Sequence, residues 1–345
     1  MKTHAIIPIF IPHLGCPYDC IFCNQKAITA KQKPLPAESV RTTVDTWLST
    51  LDSVPNREIA FYGGSFTAIP MEMQREYLKI AKEYKDGKKV EKLHLSTRPD
   101  AIDERILENL KNYGVDVIEL GVQSFDDEVL RLSGRGHDAQ VIYKSAELIK
   151  AYGFQLGIQL MIGLPKDSLD TCIFSAEETV KIAPDIARLY PTVVIKDTEL
   201  YNQALEGRYV PLSEKEAILR TKEMYKILTG AGINIIRVGL KSSDLIAPGG
   251  LMGGGDFHPA FRQLVEGEIA KEIIEERLRN LLKAEKSEMQ IGDVSFFANP
   301  ASFSNMVGNG GRNKKYFAEI YPKLNIRYKV CNDLKPGCFD VKVTK

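Results

Sequence analysis

Cys16, Cys20 and Cys23 lie in one short stretch, Gly15-Cys16-Pro17-Tyr18-Asp19-Cys20-Ile21-Phe22-Cys23-Asn24, with the spacing C-x3-C-x2-C. The spacing is too tight for a disulfide framework and one cysteine short of a closed four-thiolate zinc site. Three thiolates suit an iron–sulfur cluster in which one iron has no protein ligand. An open metal position of that kind takes a substrate or a cofactor. A zinc knuckle with a distant fourth ligand is the competing reading of the same three residues.

A cysteine loop needs a scaffold, and the chain reads as repeated strand–helix units. His4–Ile11 is a buried strand running into the loop, and short apolar strands follow at 58–62, 90–95, 115–121, 154–162 and 186–194, with a further one at 233–238. Helical periodicity fills the intervals at 40–51, 71–84, 126–152, 168–182 and 213–229. Such alternation predicts a parallel sheet with right-handed crossovers. The expected fold class is therefore α/β, a partial (β/α)6 barrel over residues 1–240. A C-terminal α+β extension is expected over 241–345. In folds of this kind the chemistry lies beyond the carboxyl ends of the strands. Gly63, Arg98, Gln123 and Gly163 all follow strands and are expected at one mouth.

The 345 residues carry 46 Lys and Arg against 45 Asp and Glu, so net charge argues neither for nor against a nucleic acid partner. The apolar run at the N-terminus is too short for a signal sequence and is broken by Pro8. No stretch approaches the roughly 20 apolar residues that span a bilayer. Unpaired cysteines without an export signal predict a cytoplasmic protein with no membrane partner.

The cysteine loop resembles that of the radical S-adenosylmethionine (radical SAM) superfamily. The resemblance implies one 4Fe–4S cluster held by Cys16, Cys20 and Cys23, and S-adenosylmethionine (SAM) chelated to the open iron. It also implies an electron donor such as flavodoxin or ferredoxin. Gly63-Gly64-Ser65 resembles the family's glycine pair, which contacts the methionyl amine. Gly121-Val122-Gln123-Ser124-Phe125 with Arg135-Gly136-His137 is similar to a pattern in the oxygen-independent coproporphyrinogen oxidases. There the glutamine and arginine contact SAM, and a guanidinium fork suits its carboxylate. Gln159, in the segment 157–165, stands where those enzymes have an aspartate. Ser96 stands where related enzymes carry a ligand-binding glutamate. By this resemblance the cofactor-binding residues are Gly63, Gly64, Ser65, Ser96, Gln123, Arg135 and Gln159.

Ser96-Thr97-Arg98-Pro99-Asp100, Arg135-Gly136-His137, the segment 189–201 and Glu206-Gly207-Arg208-Tyr209-Val210-Pro211 resemble the catalytic subunit of Elongator, which modifies the wobble uridine of tRNA. Two departures qualify the likeness. Elongator's first cysteine spacing is longer, and 345 residues leave no room for its acetyltransferase domain.

The tail holds a glycine-rich stretch at 247–259, a long charged helix at 261–284, and a basic end. From Ser302 onward nine Lys and Arg face three Asp and Glu. Gly308-Asn309-Gly310-Gly311 precedes Arg312, Lys314 and Lys315, a turn whose amides and cations suit a phosphate of tRNA or another RNA. A solvated surface turn is the bland alternative. Cys172 reads as core, Cys331 and Cys338 as incidental thiols, and His13 and His258 have no partner at metal-ligand spacing. The expected activity is reductive cleavage of SAM to a 5′-deoxyadenosyl radical that takes hydrogen from a substrate, with RNA as the leading substrate class. A tetrapyrrole-like small molecule is the rival substrate, and a non-catalytic haem or iron–sulfur chaperone the rival function. No catalytic residue is assigned.

Overall fold

The computed structural model describes residues 3–11, 16, 18–24, 35–240, 250–284 and 292–344. His13, Gly15, Pro17 and positions 247–249 of the glycine-rich stretch lie outside the described residues.

The strands β1 (His4–Ile11), β2 (Asn56–Gly63), β3 (Lys92–Thr97), β4 (Val117–Gln123), β5 (Gln155–Ile162) and β6 (Ile186–Pro191) pair in parallel and in sequence order. Val194–Ile195 forms β7, and β8 (Asn234–Val238) adds a seventh parallel strand beside β6. Alternation along each strand explains the layering. Ile7, Ile9 and Ile11 of β1, Ile59 and Phe61 of β2, Leu93 and Leu95 of β3, and Leu156, Ile158 and Leu160 of β5 are buried. Each such side chain contributes roughly 1.5–3 kcal/mol of burial. From the third crossover on, helices between strands start on side-chain caps. Asp103 accepts from the N–H of Ile106, and Ser168 and Thr171 form a reciprocal capping box.

The opposite parity is polar: Glu58 and Tyr62 of β2, His94 and Ser96 of β3, Glu119 of β4, Gln159 of β5, and Arg188 and Tyr190 of β6. Arg188 Nη2 donates to the Tyr62 hydroxyl. A flat sheet would hold β2 and β6 roughly 19 Å apart. The sheet therefore curls, and these residues face one another across its concave side.

The sixth strand is shorter than the sequence suggests. Pro191, with no N–H to offer the ladder, closes it. Val194–Ile195 instead pairs antiparallel with β9, Met252–Gly254, inside the stretch read as a glycine-rich loop.

The chain divides into one compact unit of residues 1–213 and 223–257 and another of 214–222 and 258–345. In the second, helix Phe261–Ala284 lays Ala270, Ile274 and Leu278 onto a core with Val294, Phe296, Met306 and Phe317. Its sheet has β10 (Asp293–Ala298) at the centre, β11 (Asn325–Val330) parallel on one side and β12 (Phe339–Val343) antiparallel on the other.

Candidate functional site

The cysteine loop is held to the barrel by its backbone. Ile21 N–H donates to Ser133 O at 3.2 Å, Leu200 N–H donates to Ile21 O at 2.8 Å, and Cys23 N–H donates to Cys20 O at 2.9 Å. Cys16 and Cys20 turn their sulfurs toward one nitrogen. Arg98 Nη1 lies 3.6 Å from Cys16 Sγ and 3.7 Å from Cys20 Sγ, and Arg135 Nη1 lies 3.4 Å from Cys20 Sγ. Among the described residues no three His, Cys, Asp or Glu side chains come close enough together to hold a single metal ion. A cluster asks instead for thiolates spaced around its separate irons.

Arg98 is 4% exposed and Arg135 5%. Burial works against the charge of Arg98, but hydrogen bonds and attraction from Asp100, with the two thiols, raise its pKa above the usual arginine value. Arg135 Nη2 donates to Gly121 O, while its Nε is buried without a partner. An orphaned guanidinium N–H is costly, and it fits an incoming carboxylate. His137 is pulled down to about 4 by burial and by the adjacent Arg135 charge. Gly136 sits at φ +74°, and a Cβ there would stand 2.5 Å from the Tyr18 ring, so this position admits only glycine.

The other residues singled out in the sequence divide by what they touch. Gln159 Nε2 donates to Gln123 Oε1 at 3.2 Å, and Gln123 takes φ +72° where the β4–β5 register shifts. Gly63, at φ +102°, faces Ile11 O, which a Cβ would approach to 2.8 Å, and Gly64 N–H donates to Ile11 O at 3.1 Å. The freedom of Gly63 thus serves the close of β1 on β2. Ser65 Oγ bonds Thr97 Oγ1 at 2.8 Å and accepts from Arg98 N–H at 3.1 Å, so it braces the Arg98 segment. Ser96 Oγ donates to Glu119 Oε1 at 2.9 Å, which commits it to the concave-face network.

Sequence reasoning missed that network. Arg188 Nε lies 2.7 Å from Glu119 Oε2, and Arg188 also reaches Tyr190 at 3.4 Å. Glu58 bridges His94 and His4, each at 3.5 Å. Glu119 and His94 are each 1% exposed. The available signal is parity: His94 and Ser96, Glu119 and Gly121, and Arg188 and Tyr190 alternate with apolar residues on strands whose composition reads as uniformly buried.

In the second unit, Gly308, Gly310 and Gly311 all have positive φ before helix Arg312–Ile320. Arg312 pairs with Glu214 at 2.8 Å and Lys314 lies over the Tyr328 ring at 5.0 Å. Cys172 is buried, with its thiol 3.2 Å from Asp167. Cys331 and Cys338 are both free thiols, just after β11 and just before β12. No helix among the described residues is long and apolar enough to cross a membrane.

A family model described as the radical SAM superfamily matches residues 10–179, and one described as a radical SAM C-terminal domain matches residues 184–271. The chain is similar to a tRNA uridine(34) acetyltransferase of Methanocaldococcus infernus, 28% identical over 255 residues that cover 62% of this chain and 48% of that protein. It is likewise similar to Elongator complex protein 3 of Mus musculus, 28% identical over 260 residues, 62% of this chain and 47% of that protein. The chain spans about half the length of these relatives. Among solved structures, archaeal Methanocaldococcus infernus Elp3 with an N-terminal deletion superposes with a TM-score of 0.63 at 23% identity, covering 79% of this chain and 64% of that one. That likeness is one of fold.

Proposed function

Since this chain belongs to the radical SAM superfamily and is an enzyme that uses a 4Fe–4S cluster and SAM, we propose that it acts on RNA, with tRNA as the substrate class. The observation that carries this reading is the similarity over 62% of the chain to tRNA uridine(34) acetyltransferases. Because only about half of those relatives is matched, the reading takes over their substrate class and not acetyl transfer. When bound, the two cofactors supply one-electron cleavage of a carbon–sulfur bond and a radical that abstracts hydrogen from the substrate.

The chain's own residues have simpler tasks. Cys16, Cys20 and Cys23 would hold the cluster. Arg135 would receive the SAM carboxylate on its unpaired Nε, and the Gln123–Gln159 pair would offer amide donors and acceptors beside it. Arg135→Ala is expected to weaken SAM binding by about 1.5–3 kcal/mol, the usual worth of a hydrogen bond to a charged group. Equilibrium dialysis with SAM measures this, and unchanged affinity would remove Arg135 from the site.

The substrate reading is tested by filter-binding of total tRNA at two salt concentrations. Binding by the wild type should weaken steeply with salt. Replacing Arg312, Lys314 and Lys315 together by alanine should lower the log–log slope by roughly 0.7–0.9 for each phosphate that the protein no longer neutralises. Release of 5′-deoxyadenosine without substrate should be unchanged in that variant. Identical weak curves for both proteins would discard RNA and favour a small-molecule substrate.

A further inference from the structure

We infer that Arg98, locked by Asp100, is a positioning residue that sets the reduction potential of the cluster held by Cys16, Cys20 and Cys23. The inference rests on the reading of those cysteines as cluster ligands. Its basis is the construction around one guanidinium. Nη1 lies 3.6 Å from Cys16 Sγ and 3.7 Å from Cys20 Sγ, so its two N–H bonds serve two ligand sulfurs. Nε donates to Asp100 Oδ1 at 2.8 Å and Nη2 to Asp100 Oδ2 at 3.0 Å, a bidentate pair that fixes the plane of the fork. Nη2 also donates to Arg135 O. The backbone N–H is held by Ser65 Oγ, and the Tyr18 ring, from within the cysteine loop, lies 5.0 Å from the guanidinium carbon.

Every polar direction of the side chain is thus fixed, and its two remaining N–H bonds are directed to sulfur. A side chain needed only for packing would not require a buried cation here, since burying a charge is costly unless it is put to use. Cluster potentials respond to hydrogen bonds on the ligand sulfurs, to net charge and to solvent exposure. One-electron reduction adds negative charge to the cluster, and a buried guanidinium donating to two thiolates stabilises that charge. Arg98 therefore raises the potential, while the Asp100 carboxylate, which holds the fork in place, offsets part of its field.

The two residues predict shifts of opposite sign, which general loosening of the site would not produce. Wild type, Arg98→Gln and Asp100→Asn are reconstituted anaerobically and their iron and sulfide counted. Each is then titrated with dithionite in mediated spectroelectrochemistry, without SAM or substrate. Arg98→Gln should make reduction about tenfold less favourable, which is 59 mV lower for a one-electron couple. Asp100→Asn keeps an oxygen acceptor for the fork but removes the negative charge, so reduction should become easier. If Arg98→Gln assembles no cluster, the upward shift in Asp100→Asn carries the test by itself. Reduction equilibria within threefold of wild type in the variants that assemble, or shifts of the same sign, would overturn the inference while leaving the cluster assignment intact. A wild type that takes up no iron would overturn the cluster assignment itself, and the inference with it.

Discussion

Exchange of Cys16, Cys20 or Cys23 for alanine is expected to strip the anaerobically reconstituted protein of its iron and sulfide. Exchange of Cys331 and Cys338 should leave about four of each per chain, the content of one cubane cluster. None of the six cysteines is in a disulfide, so each keeps a sulfur that could bind iron, and the contrast lies in placement. Cys16 and Cys20 share the Arg98 guanidinium as a neighbour and stand in one short loop with Cys23. Cys172 is buried in helix Leu169–Ile182, with its thiol on Asp167. Iron and sulfide assays with electron paramagnetic resonance of the reduced protein measure the outcome. Zinc in place of iron after anaerobic preparation of the wild type would overturn the assignment.

The second large effect is on stability. Glu119→Ala is expected to cost about 3–5 kcal/mol, the range for removing one partner of a buried ion pair. Glu119 is the ionic partner of Arg188 and accepts from Ser96, with His94 3.8 Å away. Burial presses Arg188 toward its neutral form, and the Glu119 charge overcomes this and holds its pKa far above the usual arginine value. Without Glu119 the guanidinium would keep the hydroxyls of Tyr62 and Tyr190 among the described residues. Replacing both partners by apolar residues, Glu119→Leu with Arg188→Met, should recover most of the loss, because no buried charge is then stranded. Urea unfolding of the two variants measures the difference. A single-variant cost below about 1 kcal/mol would mean that water reaches the pair, as it does for exposed ion pairs.

The parallel sheet was legible because each of its strands is a local apolar run ended by glycine or polar residues. Helix Phe261–Ala284 was legible because charged faces leave a clear stripe at Ala270, Ile274 and Leu278. What the sequence hid depends on partners distant along the chain. Ser96 reads as a ligand-binding position through its resemblance to related enzymes, and its bond to Glu119 is one that a linear reading gives no reason to expect. Ser65 likewise sits beside the glycine pair but serves Thr97 and Arg98. Asp100 enters the sequence reading only as the end of the motif Ser96–Asp100, because its role appears only once the fork of Arg98 is seen to lie between carboxylate and sulfur. The end of β6 at Pro191 and the pairing of β7 with β9 were hidden for a similar reason. A two-residue ladder has too little periodicity to register, and its partner lies in a stretch dominated by glycine.

The hydrogen bond between Arg188 and Tyr62 has a bearing on how the chain reaches this shape. The two residues are separated by 126 positions, whereas neighbouring strands pair across a single crossover. Closing the longer span costs more chain entropy before the bond returns any energy. Pairing of adjacent strands is therefore expected to run ahead of curvature during refolding. Until the sheet curls, the Glu119–Arg188 ion pair would stay open to water, so it would be worth little before that step and most of its stabilisation would come after it.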